Sequence, residues 1–98
     1  MNDIERLKLE KIAKLENCDG ELFYYETRRW GPIAVAIKQQ PDGSWRGLWS
    51  IFGVAQQMRA KSEWTREAFV GGLIGCASEF CVEANKRQLL GAGGFLHG

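Results

Sequence analysis

Ile33-Ala34-Val35-Ala36-Ile37-Lys38-Gln39-Gln40, then Pro41-Asp42-Gly43-Ser44, then Trp45-Arg46-Gly47-Leu48-Trp49-Ser50-Ile51-Phe52, is the stretch on which the fold turns. Two runs rich in β-branched and aromatic residues flank a segment in which proline fixes φ and glycine admits positive φ, so the chain reads as an antiparallel hairpin. Two registers are open. A four-residue loop pairs Gln40 with Trp45 and sets Trp45, Trp49 and Ile51 beside Ala34, Ala36 and Lys38, with Ile33, Val35 and Ile37 on the other face; both faces are then apolar, and one is left for a partner. A three-residue loop pairs Gln40 with Ser44 and moves the tryptophans onto the Ile33, Val35, Ile37 face as one large core.

Upstream, Leu22-Phe23-Tyr24-Tyr25-Glu26-Thr27-Arg28 is a further strand, separated from Ile33 by Gly31-Pro32. Before it, Asp3 can cap a helix running to about Asn17, and Asn17-Cys18-Asp19-Gly20 stops it with residues that tolerate positive φ. Downstream, residues 53–61 have helix-forming composition in Val54-Ala55-Gln56-Gln57-Met58-Arg59 and equally suit an extended ribbon continued past a bulge at Gly53. Ser62 or Thr65 can cap a long helix. Its apolar stripe includes Phe69, Val70, Leu73, Ala77, Phe80, Cys81 and Ala84, with Glu63 and Glu67 near its N-terminal end and Lys86 and Arg87 near its C-terminal end. Gly71, Gly72 and Gly75 each cost up to about 1 kcal/mol in a helix, which implies a tight packing seam. Gly91-Ala92-Gly93-Gly94 reads as a hinge before Phe95 and Leu96. The expectation is a single α+β domain over 1–98, with 91–98 as a Gly-rich tail: N-terminal helix, three-stranded antiparallel meander, and long C-terminal helix packed on the sheet.

Composition narrows the function. Hydrophobic residues at 45% and charged residues at 26% describe an ordinary globular chain. A net charge of +1 gives no basis for electrostatic capture by nucleic acid or membrane. The N-terminus lacks the basic and apolar regions of a signal peptide, so a cytoplasmic location is expected, with Cys18, Cys76 and Cys81 as free thiols. Cys76 and Cys81 lie about 140° apart around a helix, which suits no shared metal. His97 sits next to the end beyond the glycine hinge, a poor position for a general base. Gly91-Ala92-Gly93-Gly94 has no Lys-Ser or Lys-Thr after it and opens no helix, unlike a phosphate-binding loop. Glu79 and Glu83 read as a solvated face rather than an acid and base pair. The sequence therefore points to a non-enzymatic chain without cofactor or metal.

The informative excess is aromatic. Trp30, Trp45, Trp49 and Trp64 lie in or beside the sheet. Exposed tryptophans mark interaction hot spots, and buried ones fill cores. Trp30, Trp45, Trp49 and Tyr24, with Arg28, Arg29 and Arg46, are the candidate partner-binding residues. The expected partner is a protein or nucleoprotein complex, and a homodimer also suits a sheet face that associates with itself. Stacking of bases on Trp45, Trp49 or Tyr24 with these arginines on phosphates is the alternative, and the near-zero net charge weighs against it. A small enzyme or ligand-binding subunit, with a pocket between the sheet and the last helix in space left by Gly71, Gly72 and Gly75, is a third.

In size and layout, and in Gln40-Pro41-Asp42-Gly43-Ser44-Trp45 leading into Thr65-Arg66-Glu67-Ala68-Phe69, the chain resembles small phage or mobile-element inhibitors, anti-CRISPR proteins among them. That resemblance implies a host defence complex as partner, inhibited by blocking a nucleic-acid channel or a subunit contact. The order of one helix, three strands and one helix also resembles double-stranded-RNA-binding domains. The place of their basic run is taken here by Ser62-Glu63-Trp64-Thr65-Arg66-Glu67.

Overall fold

The computed structural model describes residues 3–86, without the side chains of Asp3 and Glu5. Arg87, His97, the glycine-rich tail and the expected cap from the Asp3 side chain lie outside the described residues. The elements are α1 (Asp3–Leu15), β1 (Glu21–Thr27), β2 (Gly31–Gln39), β3 (Trp45–Ile51), β4 (Val54–Ala60) and α2 (Arg66–Lys86). The strands form one antiparallel sheet in the order β1-β2-β3-β4.

The β2–β3 turn settles the register. Gly43 N–H donates to the Gln40 carbonyl (2.9 Å) and Gln40 N–H to the Ser44 carbonyl (2.8 Å), closing a three-residue loop. Gly43 supplies the required φ of 89°, and the Asp42 carboxylate accepts from Ser44 N–H and Oγ. Val35 therefore stands opposite Trp49, and Gln39 opposite Trp45. Both tryptophans share a face with Ile33, Val35 and Ile37.

The expected three-stranded meander is corrected to four strands. Phe52 and Gly53 both have positive φ, 53° and 79°, and make a two-residue turn that sends the chain straight back along β3. The helix-forming composition of 54–59 yields to this pairing, because Val54, Met58 and Ala60 then pack against the core.

α2 covers the tryptophan face. Thr65 caps it, its Oγ1 accepting from Ala68 N–H (3.1 Å) and its carbonyl from Phe69 N–H (3.0 Å). The helix crosses the sheet at Gly47, where a Cβ would lie 2.7 Å from Phe69 Cε2 and 2.9 Å from Leu73 Cδ1. The closest approach in the seam is thus at a strand glycine. Of the three helix glycines only Gly72 approaches another group, Met58; Gly71 and Gly75 face open space. Phe69, Leu73, Ala77 and Cys81 close the core over Trp30, Trp45, Trp49 and Ile51.

α1 lies on the opposite face, where Leu9, Ala13 and Cys18 pack on Ala34, Ala36 and Leu48. Asn17, at φ 56°, ends it: Cys18 N–H reaches the Ala13 carbonyl (2.9 Å) and Asn17 N–H that of Lys14 (3.2 Å), a Schellman cap. Asn17 Nδ2 also donates to Gln40 Oε1, and Lys38 Nζ to Asn17 Oδ1, fastening the end of α1 to β2.

Candidate interaction surface

The residues singled out from sequence do not assemble. Trp30, Trp45 and Trp49 are buried, at 7%, 9% and 2% exposure, on the α2 face of the sheet. The Trp45 indole N–H is satisfied by the Trp64 carbonyl (2.9 Å), Trp45 tilts against Phe69, and Trp49 against Phe80. Tyr24 is exposed on β1, on the α1 face. Arg28 and Arg29 occupy the β1–β2 turn, Arg29 stacked over the Trp30 ring. Arg46 lies at the other end of the sheet, level with Lys38. Strands of seven residues are about 20 Å long, so these cations serve different ends of the molecule.

What lies exposed instead is α1. Leu9 and Ala13 face the sheet, whereas Ile4, Leu7 and Leu15 are 65%, 63% and 78% exposed on the outer side. At about 100° per residue these three occupy one stripe opposite the buried pair, with Lys8 and Lys11 among them. Leu9 and Ala13 seat the helix on Ala34, Ala36 and Leu48, with Leu22 beside them, and a residue half a turn round from that seat points away from the sheet.

Between α1 and the β3–β4 turn runs a groove of about 460 Å³ whose walls include Leu9, Ile12, Pro32, Ile51 and Phe52. Phe52 lines it while holding a backbone conformation that side chains rarely adopt, strain of the kind found at functional positions. Among the described residues lining the groove, Lys8 carries the one ionisable side chain, and most of the wall is apolar.

A second feature needs the register to be seen. Lys38 stands opposite Arg46, and Arg46 opposite Arg59, so three strands set cations side by side on the α1 face. Like charges directly opposite are unfavourable. Asp19 lies 3.6 Å from Lys38, while Arg46 and Arg59 form no salt bridge within the described residues. In sequence these cations are spread over 22 positions and show no cluster.

The thiols are inert by environment where they are buried. Desolvation, with Glu16 and Asp19 nearby, pushes Cys18 up to about 11, and burial also raises Cys81. Cys76 is exposed. Among the described residues no three His, Cys, Asp or Glu side chains come together as a metal site, and no helix is long and apolar enough to cross a membrane. Comparison with protein-family models, curated proteins and solved structures finds no match to this chain.

Proposed function

We propose that the chain is a non-enzymatic interaction module, an inhibitor or adaptor that docks on a macromolecular complex through the outer face of α1 and the groove beside it. The observation that carries this reading is the stripe of Ile4, Leu7 and Leu15, three large aliphatics exposed on one face of a helix whose other face already holds it to the sheet. Phe52 extends the apolar surface into the groove, and Lys8 and Lys11 give it a basic rim suited to an acidic partner surface. A host defence complex, as the resemblance to phage inhibitors implies, is the specific form of the reading.

The test compares tagged wild type with a Leu7→Glu, Leu15→Glu double variant in affinity purification from the native host. Exposed positions tolerate such changes within about 0.5 kcal/mol each, so the variant folds. A partner held by wild type and lost by the variant supports the proposal; partners retained equally by both defeat it. The Lys38, Arg46, Arg59 row favours a second reading, direct nucleic-acid binding. It requires oligonucleotide binding that weakens steeply with salt and is lost in Arg46→Ala, Arg59→Ala.

A further inference from the structure

We infer that β4 is a pairing edge for a second copy of this chain, joining two sheets into one eight-stranded antiparallel sheet about a twofold axis through Gln57. Among the described residues the sheet is open, with β1 and β4 at its margins. β1 carries an acid near each end, Glu21 and Glu26, the kind of charge that keeps strand edges apart. β4 reads Val-Ala-Gln-Gln-Met-Arg-Ala, with one charge and no proline over seven residues.

The backbone of β4 is aimed outward at alternate positions. A two-residue turn makes Ile51 and Val54 a hydrogen-bonded pair, and so, two by two, Trp49 with Gln56 and Gly47 with Met58. The N–H and C=O groups of Ala55, Gln57 and Arg59 then point away from β3. Antiparallel pairing with a second β4 matches those outward residues among themselves: Gln57 opposite Gln57 of the second copy, and Ala55 opposite Arg59 in both directions. Each outward N–H and C=O meets its counterpart, six hydrogen bonds by the alternation of such ladders.

Side chains accept the same register. Arg59 falls against alanine, so no like charges oppose each other and the long side chain has space. On the other face Gln56 falls against Met58, and Val54 against Ala60. A pairing with the axis at Gln56 or Met58 overlaps fewer residues, which singles out Gln57. The interface is isologous and closes at two chains. It leaves the outer face of α1 free on each copy, so the dimer would present two docking faces and gain from multivalent engagement.

Sedimentation equilibrium of the full chain from micromolar to millimolar concentration is the test, with circular dichroism as the folding control. Wild type should approach twice the 11.0 kDa chain mass. Gln57→Pro removes an outward N–H that no strand among the described residues uses, so it should stay folded and remain monomeric. In a Cys76→Ser background, Gln57→Cys should oxidise to a covalent dimer, since facing residues of a hydrogen-bonded pair have Cα atoms about 5.5 Å apart, within disulfide reach. A folded wild type that stays monomeric throughout overturns the inference. So does a dimer unaffected by Gln57→Pro, or a ladder of higher oligomers, which would mean β1-to-β4 addition or some other contact.

Discussion

Cys18 shows how a single residue reports on the docking of α1. Its thiol is buried beneath the end of the helix and titrates at about 11 instead of the ordinary 9.0. A thiol whose pKa is raised by folding keeps its proton in the fold after the unfolded chain has lost it. The stability it gives is complete below pH 9 and declines as pH rises toward 11. The urea midpoint should therefore fall over that window, and fall less steeply in Cys18→Ala. At pH 8 a thiol reagent should modify Cys76 in the folded protein, and Cys18 and Cys81 only on unfolding. Phe52 poses the converse case, a bulky side chain at φ 53° in a turn that favours Asn-Gly. Phe52→Asn should relieve about 1 kcal/mol and raise Tm by roughly 4–8 °C. Under the proposed function the same change should weaken partner binding, because the ring lines the groove.

At the scale of elements, the glycines separate packing from its absence. Gly47→Ala places a methyl against Phe69, Leu73 and the Ala36 carbonyl, and should destabilise by about 1–3 kcal/mol in thermal or urea unfolding. Gly71→Ala and Gly75→Ala add a methyl to open space on a helix and should each stabilise by about 0.5–1 kcal/mol. Of the helix glycines only Gly72 meets the expected close approach, against Met58, and the contact of helix with sheet at Gly47 was not singled out, since a strand glycine under a crossing helix and an exposed helix glycine look alike in sequence. α1 is held by Leu9, Ala13 and Cys18 and by the Asn17 hydrogen bonds, against the broad burial of α2. Its amides should exchange through an opening that leaves β2, β3 and α2 protected.

For the whole molecule, the tryptophans belong to the account of stability. Trp49→Ala removes a ring packed between sheet and helix and should cost about 3–5 kcal/mol, a large part of the 5–15 kcal/mol typical of a domain. Loss of binding in such a variant would reflect unfolding, whereas Leu7→Glu, Leu15→Glu probes the surface with the core intact. The helices at either end, the hairpin at Pro41–Ser44 and the stop at Asn17 were all legible, because each rests on residues whose φ preferences or apolar spacing act locally. β4 was legible only as an ambiguity, since Val54–Ala60 gains its extended form from pairing with β3 rather than from its own composition.

The sequence by itself determined the α+β class, the order of its main elements and the apolar material for a core, all of which follow from short-range backbone preference and hydrophobic period. The tertiary structure decided which face the tryptophans take, through one residue of loop length at Gly43. It decided too that α1 seats through Leu9 and Ala13 and so turns Ile4, Leu7 and Leu15 outward, and that Lys38, Arg46 and Arg59 fall into one row. Those outcomes depend on register and on what one element finds when it meets another, and neither is encoded within any single segment.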